Sequence, residues 1–218
     1  GDNNGYGLNQ PGIVLSTGNV TDYQSGPNTT GSRTTGYGVS ATGDQETLLD
    51  PITGTATSNF SHFDVTQLDI EFDVTSDKNF ISFYVVFGSE EYAEYVNSQY
   101  IDGFGIYLNG QNIALASGKP VNINHPEMSA IAGTELDGVL SPQGTVIMQF
   151  TALVAPGSVN NKLTFIVADT SDSALDTTVF VFSLGAAGHT PPLTISNGSV
   201  VEGNDGTRNM VFQLKLAE

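Results

Sequence analysis

With 218 residues, of which 39% are hydrophobic and 9% aromatic, the chain can bury the core of one large all-β domain with a fragment beside it. Its 23 acidic residues face only 6 Lys and Arg, and a net charge of -17 repels nucleic acid and anionic membrane surfaces while favouring divalent cations. Absence of cysteine excludes disulfides and thiolate metal sites, and no apolar run of about 18 residues is present to span a membrane, so direct membrane insertion is not expected.

The opening "GDNNGYGLNQ" is neither basic nor apolar, so it does not read as a signal peptide, and the chain reads as a mature or excised fragment. Residues 1 to 60 are rich in Gly, Thr, Asn and Ser around one apolar run, "GIVLSTG", and read as short strands in long polar loops. From residue 63 the pattern alternates: "FDVTQLDIEFDV" puts Val65, Leu68, Ile70, Phe72 and Val74 on one face, with an irregular step near Gln67. "FISFYVVFG" is β-branched and aromatic throughout and reads as a central strand. In "FGIYLNGQNIALASG" two strands flank Asn109-Gly110, a dipeptide suited to a type I′ hairpin turn. "TVIMQFTALV", "LTFIVAD" and "TTVFVFSLG" follow. Strands at this spacing predict an all-β, jelly-roll-like antiparallel sandwich with inner strands at 80 to 87, 104 to 108 and 163 to 168. The sole helix candidate is "SEEYAEYVNS", giving at most a short helix near 89-98. "GAAGHTPP" ends the last strand, so we expect a domain over 1-185, a linker at 186-192, and a strand–turn–strand fragment over 193-218 too small for its own core.

The carboxylates raise the functional question. Glu90, Glu91, Glu94 and Asp102 sit beside two apolar strands, yet no Lys or Arg occurs between Lys78 and Lys119. On an extended strand Glu90 and Glu91 would point to opposite faces, so they serve one site only where the chain turns, which Gly88 permits. If Ser89 caps a helix, Glu90 and Glu94 share a face and repel. A second acidic run, "VADTSDSALDTTVF", places Asp169, Asp172 and Asp176 in a turn-prone loop. Six to eight oxygen ligands are what Ca²⁺ takes, which makes Glu90, Glu91, Asp102, Asp169, Asp172 and Asp176 candidate ligands. The competing reading is a solvated acidic surface. Neither an EF-hand loop nor a GGxGxD repeat occurs; His62, His125 and His189 are scattered without H-E-x-x-H, and no G-x-S-x-G is present. Glu91 with Asp102 could flank a glycosidase cleft, and Tyr92 and Tyr95 could stack on sugars or simply pack.

"GIVLSTGNV", "GPN", "GDQETLLD", "FDVTQLDIEFDV", "VVFGSEEYAEYV", "YIDGFGIYLNGQNIAL" and "FIVADTSDSALDTTVFVFSLG" resemble, in order, the choice-of-anchor L domain of bacterial secreted and surface proteins, over about residues 12 to 185. The family usually carries a further strand before "GIVLSTG", much of which this chain lacks, and reads D-S where this chain has Asp176-Thr177. The tail "LTISNGSVVEGNDGTRNMVFQLKL" resembles the start of a Calx-beta domain, a calcium-associated sandwich found in large adhesins. Together the resemblances imply an extracellular or cell-surface protein, held by an anchor elsewhere in its parent chain. The expectation is a non-enzymatic calcium-binding module of a surface adhesin or matrix protein, with a cell-surface glycan or another surface protein as partner. The alternatives are a carbohydrate-binding or carbohydrate-cleaving domain, and a self-associating fibre-forming subunit whose incomplete edge invites strand addition.

Overall fold

A strand apolar on both faces needs cover on both, and Phe80–Ser89 receives it. The computed structural model describes residues 6–8, 10–22, 33–54 and 60–188, plus the backbone of 193–195 and 214–216. In chain order the elements are β1 (Gly12–Ser16), α1 (Gly43–Thr53), β2 (His62–Phe72), β3 (Phe80–Ser89), β4 (Gly103–Leu108), β5 (Gln111–Asn112), β6 (Leu115–Ala116) and β7 (Lys119–Asn122). After them come β8 (Met128–Ser129), β9 (Gly138–Leu140), β10 (Met148–Leu153), β11 (Asn161–Thr170) and β12 (Thr177–Ala187). One sheet runs β1-β12-β3-β9-β8 with β10 also on β3; the other runs β2-β11-β4-β7-β6 with β5 also on β4. The sheets pack face to face as an antiparallel sandwich. The compact unit Gly1–Ala187 is followed by a second, Gly188–Glu218, in which β13 (Leu193–Ile195) pairs with β14 (Leu214–Leu216). The V-x-E-G stretch of that tail lies outside the described residues.

Phe83, Val85 and Phe87 of β3 meet Phe104 and Ile106 of β4 and Leu163, Phe165 and Val167 of β11 in the central core. Phe83 and Phe165 pack edge to face across it, ring centres 5.5 Å apart. Each sheet also has a covered outer face. Tyr6 packs on Val86, Leu136, Val139 and Phe180, while Leu49 and Ile52 of α1 pack on Tyr107, Ile166 and Ala168. This double cover explains why the inner strands at 80 to 87, 104 to 108 and 163 to 168 read as unbroken apolar runs. Asn109 and Gly110 take φ of 50° and 85°, as a type I′ turn requires, and join β4 to β5.

Two local expectations give way. Of residues 89-98, Ser89 ends β3 and 90–98 are turns and a bend, with isolated bonds such as Tyr95 N–H to Glu91 O (3.1 Å), not a helix. The helix is α1 instead. Thr42 caps it through a reciprocal box with Gln45, and Gly54 closes it at φ 74°, donating to Asp50 O (2.9 Å). Pro51 inside the last turn had masked it, since Pro lacks the N–H of a helix interior. In β2, alternation runs unbroken through Gln67, so Leu68, Ile70 and Phe72 face the core while Val65 packs on the α1 side. The irregularity comes earlier, where the β2–β11 register shifts between Val167 and Asp169 and Asp64 adopts φ 48°.

Because Ile52 is 1% exposed and wedges α1 onto sheet glycines (a Cβ on Gly105 would lie 2.4 Å from its Cδ1), Ile52→Ala should open a cavity. We expect a loss of about 2–5 kcal/mol in urea unfolding, against about 1 kcal/mol for Thr42→Ala at the cap. Equal, negligible losses would mean that α1 is not packed as described.

Candidate metal centre

β3 and β11 end, and β4 and β12 begin, at one pole of the sandwich, with Ser89 opposite Thr177 and Ala168 opposite Gly103. That topology gathers the expected ligands: Glu90 and Glu91 follow β3, Asp102 precedes β4, Asp169 closes β11 and Asp176 precedes β12. Exposure is 2% for Glu90, 1% for Glu91, Asp169 and Asp176, and 0% for Asp102. A wet acidic surface is therefore not what these five residues form. Asp172, in the connection from β11 to β12, is half-buried and accepts from Ala174 N–H (3.2 Å), a local turn contact.

The six do not behave alike. A segment over residues 33–39 is laid across the pole and held by carboxylates. Glu90 Oε2 accepts from Arg33 N–H (3.2 Å) and Asp176 Oδ1 from Thr35 N–H (2.7 Å). Asp64, which the sequence reading passed over, takes the N–H groups of Tyr37, Gly38 and Val39 at 2.8, 3.2 and 2.8 Å. Asp176 also needs Gly18 beneath it, where a Cβ would lie 1.8 Å from Oδ2. Asp102 Oδ1 accepts from Thr170 N–H (2.9 Å), and its Oδ2 from the Thr177 hydroxyl (2.8 Å). Thr177 Oγ1 is in turn 2.8 Å from Ser89 Oγ, its neighbour in the same sheet, and the Thr177–Asp102 bond ties that sheet to the other. Asp169 bonds the Thr17 hydroxyl and meets Asp102 side chain to side chain. Two buried oxygens, Glu91 Oε2 and Asp169 Oδ1, have no hydrogen-bond partner.

Burial sets the electrostatics. It pushes the Glu91 carboxyl up to about 9, with Asp102, Asp172 and Glu94 adding repulsion. Burial likewise raises Asp102 to about 7, against the pull of the Thr177 and Thr170 hydrogen bonds. Asp169 is raised well above the carboxylate range by burial, then by Asp102. Two carboxyl groups in contact need a proton or a cation between them. They do not form a closed cage: among the described residues, the one group of three side chains whose ligand atoms all lie within 4.8 Å of one another is Glu46, Asp50 and His62. An ion at the pole would therefore complete its shell from hydroxyls, carbonyls and water.

Tyr92 and Tyr95 part company. Tyr92 packs against the central core under Gly138, where a Cβ would lie 2.2 Å from that of Tyr92. Tyr95 is 38% exposed and edge-on to Tyr100 at 5.3 Å.

This carboxylate-rich pole, built from the SEEY and A-D-x-x-D-x-x-x-D segments, lies within residues 3–184, which match the family model described as the choice-of-anchor L domain. The chain belongs to that family. The match begins ahead of "GIVLSTG" and takes in Tyr6, whose ring covers the outer face of one sheet. No curated protein matches the chain. Choice-of-anchor L domains are modules of bacterial surface or secreted proteins. Among the described residues no helix is long and apolar enough to cross a membrane. The match stops before the tail, and the expected Calx-beta domain there finds no support.

The raised carboxyls give a pH prediction with a definite sign. Between the ordinary carboxylate range and the raised values of about 7 and 9, the folded state holds more protons than the unfolded one. Stability is then fullest on the acid side of that window and falls as pH rises through it. In chelator, the urea midpoint should be higher at about pH 5 than at about pH 8. A midpoint that is flat or rises over this interval would show that these carboxyls are not held neutral.

Proposed function

We propose that this choice-of-anchor L domain is a non-enzymatic, calcium-stabilised module of a larger bacterial adhesin or matrix protein. The ion sits at the pole, on Asp102, Asp169 and Glu91, with Asp172 at the rim. The observation that carries this reading is the pair of buried oxygens without hydrogen-bond partners, Glu91 Oε2 and Asp169 Oδ1, beside Asp102. Calcium tolerates an irregular, all-oxygen shell, whereas Mg²⁺ demands near-octahedral geometry. Glu90 and Asp176 hold the 33–39 segment that closes over the pole. The tail's V-x-E-G residues, similar to a Calx-beta opening, support a larger adhesin as parent. Exposures of 1% for Glu91 and 0% for Asp102 favour a binding role over a glycosidase pair, which must flank an open cleft.

Thermal melts in chelator, calcium and magnesium at fixed ionic strength test this. Extracellular modules bind calcium with Kd of roughly 0.1 to 1 mM. Binding to the folded form alone stabilises by about 2.7 kcal/mol at a hundredfold excess over Kd, which raises Tm by several degrees. Magnesium should do less. Asp169→Asn should lose most of the calcium response yet melt in chelator at or above the parent's temperature, because the amide cannot ionise at that depth. Identical parent melts in chelator and calcium would end the proposal.

A second reading, self-association, is favoured by the lateral seam. β12 runs to Ala187, but its pairing with β1 stops at Phe182. Beside that stretch, which pairs with no described strand on the β1 side, Ile13, Leu68, Ile70 and Leu184 line a slot of about 370 Å³, and Leu184 is 46% exposed. Sedimentation should then show concentration-dependent association that Leu184→Lys weakens. A parent monomeric across the whole range discards this reading.

A further inference from the structure

Sheets protect a free edge with charge, irregularity or brevity, because its unpaired N–H and C=O groups accept a second strand. Most margins of this sandwich are protected in those ways. β2, the outer strand of its sheet, carries Asp64, Asp69 and Glu71 and is irregular at Asp64. β1 has five residues, follows Pro11, and its Ser16 carbonyl accepts from the Thr66 hydroxyl (2.6 Å). β5, β6 and β8 have two residues each. β10 has none of these defences. It pairs with β3 over six consecutive residues without a register shift, and its other side pairs with no described strand. Met148 and Phe150 hold it in the core, while Gln149, Thr151 and Leu153 look out from the opposite face, Leu153 79% exposed. An open slot of about 320 Å³, lined by Leu115, Ser117, Gln143, Met148 and Phe150, runs beside it.

Charge identifies the occupant. From Gly138 through Asn161 the chain has no Asp, Glu, Lys, Arg or His, in a protein of net charge -17. A basic partner would be drawn to the acidic faces and finds no handle here. Two copies of the chain repel each other over those same faces, but not at this margin. The edge takes an uncharged strand that can come alongside it, and a second β10 is such a strand. Antiparallel pairing of like strands closes about a two-fold axis and uses the same surface twice.

We propose that two copies of the chain pair through β10, antiparallel about a two-fold axis near Phe150 and Thr151, so that one sheet continues across a dimer. The outward backbone groups of β10 supply the ladder of hydrogen bonds, and Gln149, Thr151 and Leu153 meet their counterparts across the axis. β10 lies on one side of β3, whereas β12 with Leu184 lies on the other. The dimer therefore depends on neither the calcium reading nor the seam at Leu184.

The test is sedimentation velocity of the whole chain in chelator, so that no ion bridges the copies, over a range of protein and NaCl concentrations. The parent should form a dimer, and salt should strengthen it by screening the repulsion between two acidic chains. Thr151→Lys and Thr151→Glu, at an exposed position, should fold as the parent does by circular dichroism and set like charges across the axis. Each alone should stay monomeric where the parent dimerises, and an equimolar mixture of the two should dimerise again. Gln149→Lys and Gln149→Glu, also exposed, repeat the exchange should the Thr151 pair fail to fold. Leu184→Lys should still reach the dimer. A parent monomeric under every condition leaves the edge to another protein and overturns the proposal. Lysine variants that associate as the parent does, or loss of the dimer in Leu184→Lys, overturn it equally.

Discussion

Asp102 and Asp169 meet side chain to side chain where β4 begins and β11 ends, both shut away from water, and the pole of the sandwich is organised around that contact. A lone ionised carboxylate at such depth is expensive, and two in contact are worse. The contact stands because Thr170, Thr177 and Thr17 supply donors around it. Since Thr177 opens β12 in one sheet and Asp102 precedes β4 in the other, their hydrogen bond also joins the two sheets where no apolar side chain could do so directionally. The pole is thus both the weakest point of the fold electrostatically and the point where its halves are latched.

That dual role makes stability and ligation one problem. Anything that neutralises the pole, whether proton or metal ion, strengthens the latch, and the two compete for the same oxygens. Relief by protons is greatest in acid and fades as pH rises, whereas relief by a cation is greatest when the carboxyls are ionised. On the calcium reading proposed above, a bacterial surface module is held together by a calcium-bearing medium and loosened by a calcium-poor one.

The sandwich was legible because its inner strands are apolar on both faces, and both faces are in fact covered. The gathering of Glu90, Glu91, Asp102, Asp169 and Asp176 at one pole followed from their positions at strand ends. What local pattern could not convey was which oxygens are already used. Glu90 and Glu91 are neighbours in sequence, yet Glu90 meets Arg33 N–H across fifty-seven positions while Glu91 turns an oxygen into the unpartnered interior. The helix escaped notice although Thr42, Gln45 and Gly54 mark its ends, because Pro51 speaks against a helix interior. His62 was set aside as isolated for want of a neighbouring motif. Glu46 and Asp50, sixteen and twelve residues upstream, lie beside it on the helix that was missed.

The scarcity of Lys and Arg ties these observations together. A chain with 6 basic and 23 acidic residues cannot answer its buried carboxylates with side-chain cations, and it answers them with backbone instead. Asp64 takes three consecutive N–H groups, Asp176 takes Thr35, and Glu90 takes Arg33 through its amide. Each such bond also tethers a loop that has little apolar surface of its own, which is how a segment as polar as residues 33–39 stays ordered over the pole. Amides supply only partial positive charge, and their number is fixed by how many loop residues can approach. Glu91 and Asp169 exceed that supply. Sequence reasoning found the acidic cluster by its lack of cations, but the meaningful quantity is the remainder after the backbone has been counted, and that remainder is where an ion from outside has something to bind.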